Sequence, residues 1–417
     1  MSELLIIALM VFGFAMVSQK LELSPVTAPM VFTAAGVVLG TVGGEWFHLD
    51  LKSEGVSILV EATLVLVLFT DAVRIDLRML RKQILLPIRL LGIGLPLTII
   101  LGTVAAAVLF GGLTIIEAAL IAAILAPTDP ALGQAVVSDK RLPVRIRQGL
   151  NVESGLNDGI MVPVVTVFLA IAAVETGAAG GDNWGAFAAQ QIGFGILLGG
   201  VVGLLGGWTL HRFAKAGFVD GIYRQLATLA IAVAAFTSAG VVGGNGFIAA
   251  FVAGLAFSYV AREECHNAQD FTEDQGQLLG SVTFLVFGAV LAAPVLGSLT
   301  WQIALYVVLS LTVVRMLPVL IALAWSRIRF ETRLFIGWFG PRGLASILFA
   351  LLVFDQLSGT VADTVFSVAV WTILVSVFAH GVTASPWTSR LARRLKDAPA
   401  SAPEMVKVQE MPARRRL

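Results

Sequence analysis

Asn151-Val-Glu-Ser-Gly-Leu-Asn-Asp-Gly159 opens one apolar stretch, and Pro127-Thr-Asp-Pro130 interrupts the apolar stretch before it. Together they set three carboxylates, Asp129, Glu153 and Asp158, inside segments apolar enough for a membrane interior. A carboxylate near the middle of a membrane helix costs roughly 2.5 to 3.5 kcal/mol on insertion scales. Acids kept at such depth point to a path for cations.

Composition places the rest of the chain in the bilayer. Of its 417 residues 57% are hydrophobic and 13% charged, and mean hydropathy is +0.89, whereas soluble domains carry roughly 25% charged residues. A polytopic all-α membrane protein is expected. A single cysteine, Cys265, excludes an internal disulfide and a cysteine zinc site, and four scattered histidines offer no metal cluster, so no cofactor is expected. The formal net charge of +1 carries no sign of a nucleic-acid partner, and none is expected. Leu4 to Val17 lacks a basic leader and a small-residue cleavage site and is read as a retained first helix.

At about 20 residues per span, thirteen apolar stretches can be counted, near 4–19, 26–43, 56–72, 84–110, 114–137, 150–173, 186–210, 223–242, 245–261, 276–293, 301–325, 334–354 and 361–384. With the first span starting outside, the connections assigned to the cytoplasm hold Lys20; Arg74, Arg78, Arg81 and Lys82; Lys140, Arg141, Arg145 and Arg147; Arg212 and Lys215; Arg327, Arg329 and Arg333; and Arg390, Arg393, Arg394 and Lys396. The opposite connections hold Lys52 and acids such as Glu45, Asp50, Glu54, Glu175, Asp182, Asp355 and Asp363. Positive charge gathers on one side, which supports the odd count and a cytoplasmic C-terminus. The loop from Arg262 to Gln275, rich in acids, fits this pattern least.

Two spans are interrupted at comparable places in the two halves. Pro127-Thr-Asp-Pro130 breaks the fifth, and Gly340-Pro-Arg-Gly343 breaks the twelfth with a cation where the first break has an acid. Unwound backbone at membrane depth is tolerated where it is buried or lines a cavity, and paired discontinuous helices mark inverted-repeat transporters. Proline kinks without function are the plainer reading, but each break also carries a charge.

Thr128-Asp-Pro130, Glu153-Ser-Gly-Leu-Asn-Asp158, Val314-Arg315-Met-Leu-Pro318 and Gly340-Pro-Arg-Gly343 resemble the monovalent cation/proton antiporters of the NhaP and NHE branch. The resemblance covers residues 1–389. It implies a thirteen-helix inverted-repeat fold with core helices near 84–173 and 276–384, the remainder serving dimerisation, scaffold and linkage. It also implies a homodimer, alternating access, and residence in a bacterial or archaeal plasma membrane among lipid. Two departures stand out: Pro341 follows Gly340 where relatives often have leucine, and after the last helix only a short basic tail, 390–417, is expected and no large regulatory domain.

The residue chemistry runs the same way. Residues four apart share a helix face, so Ser154 and Asp158 form one oxygen-bearing pair and Glu153 and Asn157 an adjacent one. With Asp129, Thr128 and the Thr128 carbonyl they could surround a hard monovalent cation, sodium or lithium, although each hydroxyl could equally serve a helix carbonyl. Nothing in these ligands separates sodium from potassium. Desolvation raises a carboxylate from its reference pKa of about 3.9 toward cellular pH, and Asp158 is the candidate that takes either a proton or the ion. Asp129 would coordinate the ion or share the proton.

The family pairs the acid at Glu153 with the eleventh-span arginine. Glu153 is therefore assigned to Arg315 as a supporting ion pair, and Arg342 to the broken twelfth span and its exposed carbonyl ends; the converse assignment stays open. Relatives with Asn-Asp, as at Asn157-Asp158, exchange one ion per proton, so the resemblance implies electroneutral exchange. A potassium/proton antiporter is the nearest alternative. A cation channel would show a repeated pore loop, and an enzyme a catalytic set; neither is seen in the sequence. Glu61 and Glu117 are read as structural, Arg74 to Arg81 as a solvated loop, His211, His266 and His380 as polar groups near helix ends that could sense pH, and the tail from Arg390 as disordered, with possible attraction to anionic lipid.

Overall fold

The computed structural model describes residues 2–21, 24–42, 54–75, 85–129, 132–175, 184–261, 275–357, 359–396, 399 and 402–406. Pro130, the connections bearing Glu45, Asp50, Lys52, Asp76, Arg78, Arg81, Lys82 and Asp182, the loop 262–274, and the tail residues 407–417 lie outside them. Among the described residues the chain is helical, without a strand. The helices in order are α1 (Ser2–Leu21), α2 (Ala28–Val42), α3 (Glu54–Arg74), α4 (Leu85–Leu109), α5 (Ile115–Ile124), α6 (Gln134–Val137), α7 (Val144–Glu175), α8 (Trp184–Lys215), α9 (Gly221–Val241), α10 (Gly246–Val260), α11 (Gln275–Ser298), α12 (Trp301–Leu311), α13 (Val313–Ala322), α14 (Phe330–Trp338), α15 (Leu344–Gln356) and α16 (Thr360–Lys396).

Nine helices among the described residues are long and apolar enough to cross a membrane, and α2, α5, α10 and α15 contain shorter apolar helices. Helix falls on each of the thirteen predicted stretches. The fifth and twelfth are discontinuous, as α5/α6 and α14/α15. The eleventh is also interrupted, at Thr312, whose φ of −111° and ψ of −89° leave the helical region between α12 and α13.

Two spans widen instead of breaking. Leu90–Gly94 in α4 and Phe287–Ala292 in α11 are π-helical, and Leu95 N–H reaches back to the Leu90 carbonyl as Ala293 N–H does to that of Gly288. A proline follows at once in both, Pro96 and Pro294. Its ring would clash with the carbonyl four residues back and it has no N–H to give; one wider turn absorbs the mismatch and keeps the helix running.

The chain divides into two compact units. The first holds residues 1–60, 85–154 and 280–417. In it α2 meets the π-helical part of α11 backbone to backbone: a Cβ on Gly36 would lie 2.1 Å from the Leu285 carbonyl oxygen, and one on Gly288 2.3 Å from that of Thr33. Close approach of this kind, made possible by small residues, is how membrane helices associate without a hydrophobic drive. α5 starts on a capping box, in which the Glu117 carboxylate accepts from Thr114 N–H at 2.7 Å and Thr114 Oγ1 accepts from Glu117 N–H at 3.2 Å. Glu117 thus has a local structural task.

The same unit corrects the reading of the tail. α16 continues to Lys396, and Arg394 pairs with Glu331. Beyond it, the turn Pro403–Met405 is docked. Glu404 is buried and accepts from Arg329 N–H at 2.7 Å and from the Thr332 hydroxyl at 3.4 Å, Arg145 donates to the Pro403 carbonyl, and Met405 packs on a cluster that includes Ile146, Ile336 and Leu391. Composition suggested disorder, but two donors on one carboxylate oxygen of Glu404 and one apolar anchor hold this turn.

The second unit holds residues 61–84 and 155–279. Its seam is a glycine ladder on one face of α8, with Gly195, Gly199, Gly203 and Gly207 four residues apart against α10. Cβ atoms at Gly199 and Gly203 would each lie 2.4 Å from a carbonyl oxygen, of Ala249 and Ala253 respectively. Arg74, read from the sequence as part of a solvated loop, is buried at the end of α3 and pairs with Asp71 at 3.7 Å. An arginine one turn after an acid in an apolar helix finds its counter-ion locally.

Candidate functional site

The breaks in α5/α6 and α14/α15 meet in the first unit, and each supplies the group that the other lacks. A helix leaves its first N–H and last C=O groups without intrahelical partners, positive at one end and negative at the other. Asp129, from the first break, takes the N-terminus of α15: its Oδ2 accepts from Leu344 N–H at 3.0 Å, while its own N–H donates to the Pro341 carbonyl at 2.8 Å. Arg342, from the second break, takes the C-terminal end of α5. Its Nη1 donates to the Ala126 and Pro127 carbonyls at 3.4 and 3.5 Å, and Ser346 donates to that of Ile124 at 2.7 Å.

This capping is reciprocal and corrects the expectation for Arg342, whose guanidinium meets the carbonyl ends of the fifth span and not of its own. The reason is polarity. Residue 342 stands just before a helix start, where its own half-helix presents N–H groups, and the nearest carbonyl ends belong to the chain that crosses it.

Glycines make the crossing close. A Cβ on Gly340 would lie 2.4 Å from Arg315 Nε and 3.0 Å from Thr128 Cγ2. Arg315 extends from the first turn of α13, and its Nη2 lies 2.7 Å from Glu153 Oε1 on α7, with both side chains almost wholly buried. Arg342 is equally buried, at 0% exposure, and is turned to the carbonyls described. Asp129, Glu153, Arg315 and Arg342 are thus all buried in this unit, with Glu153 paired to Arg315.

Thr128 and Ser154 are joined hydroxyl to hydroxyl at 2.9 Å, so the first break and α7 share an oxygen pair beside Asp129. Asn157 and Asp158 stand on the next turn of α7, on the stretch that belongs to the second unit, and both are buried. In that unit Asp71 backs onto the same helix, its Cβ 3.7 Å from where a side chain on Gly155 would begin. Asp71 was not singled out from the sequence, although an acid and a base three apart in an apolar run marked it.

Two further residues were missed or misplaced. His380, read as lying near a helix end, sits well inside α16, buried, with Ser376 one turn before it. The spacing of four in an apolar segment was the available signal. Arg342 N–H donates to Ser376 Oγ at 2.8 Å, so α16 grips the second break from the side.

The family described as "Sodium/hydrogen exchanger, transmembrane" matches residues 4–390. A Na(+)/H(+) antiporter of Schizosaccharomyces pombe is 27% identical over 305 residues, 66% of this chain and 64% of its own length. The K(+)/H(+) antiporter NhaP2 of a Shewanella species (strain ANA-3) is 25% identical over 391 residues, 91% of this chain and 66% of its own length. The chain therefore spans just under two thirds of either relative. In structure it is similar to the sodium proton antiporter MjNhaP1 from Methanocaldococcus jannaschii at pH 8, with a TM-score of 0.76 at 18% identity over 91% of this chain and 98% of that one. An electron-microscopy structure of MjNhaP1 gives 0.73 at 19%. At such identity the likeness is one of fold.

Proposed function

The chain belongs to the sodium/hydrogen exchanger family, and we propose that it is a multi-pass membrane transporter exchanging protons for a monovalent cation, sodium or lithium, by alternating access. The observation that carries this reading is the oxygen cluster at the first break: the hydroxyls of Thr128 and Ser154 held 2.9 Å apart beside Asp129, with Asp158 one helical turn beyond Ser154 on α7. Carboxylate, hydroxyl and carbonyl oxygens suit a hard cation. Asp158 is the carrier, holding either the proton or the ion. Asp129, Thr128 and Ser154 complete the coordination, while Asn157 and the Glu153–Arg315 pair support it and Arg342 holds the crossing.

Further parts of this reading rest on the family. The moving core comprises helices near 84–173 and 276–384, and the remainder serves dimerisation and scaffold in a homodimer. The protein lies in a bacterial or archaeal plasma membrane, with its C-terminus cytoplasmic, as the distribution of basic residues suggests. Exchange is electroneutral, since Asn157 stands where charge-moving relatives carry a second aspartate.

Potassium is the second reading, favoured by the similarity to K(+)/H(+) antiporters over 91% of this chain. Everted vesicles with an interior-acid gradient test both: sodium, lithium or potassium added outside should release protons, and the three responses rank the substrates. Silence with all three would refute the exchanger reading. Electroneutrality has its own test in proteoliposomes, where a diffusion potential imposed at fixed ion and pH gradients should leave the exchange rate unchanged. A rate that follows the potential would mean more than one proton per ion.

A further inference from the structure

We propose that Ser376 and His380 form a latch that closes the break in the twelfth span and positions Arg342 and Asp129 for ion binding; the ion-binding part rests on the function proposed above. The break, residues 339–343, runs between the last residue of α14, Trp338, and the first of α15, Leu344. On one side of it Arg342 N–H donates to Ser376 Oγ at 2.8 Å. On the other, His380 Nε2 lies 2.9 Å from the Trp338 carbonyl oxygen. Between them, Ser376 Oγ lies 3.1 Å from His380 Nδ1. Both latch residues are buried on one face of α16, where an unmade hydrogen bond is costly.

The donors can run in only one order if every group is to be satisfied by a neutral ring. The Trp338 carbonyl can only accept, so Nε2 carries the hydrogen. Nδ1 then offers a lone pair to the Ser376 hydroxyl, whose oxygen accepts from Arg342 N–H. The Ser376 carbonyl lies 2.9 Å from Nδ1 as well. A ring protonated on both nitrogens would turn Nδ1–H to that carbonyl, and the Ser376 hydroxyl would lose Nδ1 as the acceptor of its hydrogen. The neutral ring with hydrogen on Nε2 is therefore the state that closes the latch.

Trp338 is fixed from two more directions. Its indole lies over the His380 ring, centroids 5.1 Å apart, and its Nε1 donates to Thr383 Oγ1 at 2.9 Å. The latch thus holds both banks of the break to one helix. The backbone it holds is the backbone that grips Asp129, through the Pro341 carbonyl at 2.8 Å and Leu344 N–H at 3.0 Å. His380 and Ser376 act on Asp129 through the backbone of the break.

Two measurements test this, one of them independent of transport. The 417-residue chain, labelled with nitrogen-15 histidine, contains four histidines, and His380 is assigned by the signal missing from His380→Gln. At neutral pH its ring should be neutral with hydrogen on Nε2; hydrogen on Nδ1, or on both nitrogens, overturns the latch. In everted vesicles Ser376→Ala and His380→Leu should each raise the apparent KM for the transported cation severalfold, with Vmax per folded protein close to the parent. His380→Gln, which keeps a donor near the Nε2 position, should recover part of the loss. The double variant should be no worse than His380→Leu, because one chain of hydrogen bonds is cut once. Parental KM in Ser376→Ala and His380→Leu, or losses that multiply, would overturn the proposal. If the parent itself moves no cation, the exchanger reading fails while the histidine spectrum still decides the latch.

Discussion

Gly343 and Asp129 occupy space that only one of them can fill: a Cβ on residue 343 would begin 1.9 Å from Asp129 Oδ2 and 2.5 Å from the aspartate Cγ. The acid of one break thus dictates the glycine of the other. Gly343→Ala should push the carboxylate off Leu344 N–H, at an overpacking cost of about 1–3 kcal/mol, and should lower both thermal stability in detergent and transport. A variant matching the parent in both would show that the crossing yields without consequence.

Asp129 has two tasks that substitution can separate. Asp129→Asn keeps an oxygen for Leu344 N–H and should fold, yet transport should be silenced because the charge is gone. Asp129→Ala also leaves a buried N–H unanswered, a penalty of about 1–3 kcal/mol, and should lose stability as well. Asp158→Asn should abolish cation-driven proton release with the fold intact. Comparing melting temperature with vesicle transport decides each case, and parental transport in Asp129→Asn would move the ion site elsewhere.

The Glu153–Arg315 contact of 2.7 Å should behave as a coupled pair. Removing one partner of a buried ion pair leaves an uncompensated charge and costs about 3–5 kcal/mol. Glu153→Gln and Arg315→Gln should therefore each destabilise strongly, and the double variant by less than their sum. A double-mutant cycle on thermal stability measures the coupling; strictly additive losses would show that it is absent.

Neighbouring glycines on α8 give a control within one helix. Gly199→Ala would place a methyl group 2.4 Å from the Ala249 carbonyl oxygen, whereas at Gly200 nothing lies within 4 Å. Backbone cannot swing aside, so Gly199→Ala should destabilise by about 1–3 kcal/mol. Gly200→Ala should be neutral or gain up to about 1 kcal/mol from helix propensity. Equal melting temperatures for the two variants would argue against the packing seam.

The elements were legible wherever one local rule governed them. Apolar length found the helices, and proline with glycine found the breaks at 127–130 and 340–343. The π-helical turns were legible in principle, since Leu95-Pro96 and Ala293-Pro294 each put a proline in mid-span, but a widened helix and a kinked one share that signal. Reciprocal capping was not legible. It joins Asp129 to Leu344 across 215 positions, and nothing in either motif says which helix end its charge will meet. His380 was misjudged because the helix was ended too early, at 384, when the basic residues that follow remain helical to Lys396. Arg74 was misjudged because an arginine cluster reads as solvated until its own acid, one turn back, is counted.

The docked turn at 403–405 makes the far end of the chain a brace. Pro403 is held by Arg145 in the first turn of α7, the helix that bears Glu153, Ser154 and Asp158, and Glu404 is held by Arg329 and Thr332 at the entry to α14, which leads into the second break. Two helices that feed the crossing are pinned to one short peptide. Proteolytic clipping between Lys396 and residue 402 would unfasten both together, so the clipped protein should melt earlier than the intact one although every membrane helix is still present, and a synthetic peptide spanning 399–406 should restore part of the difference.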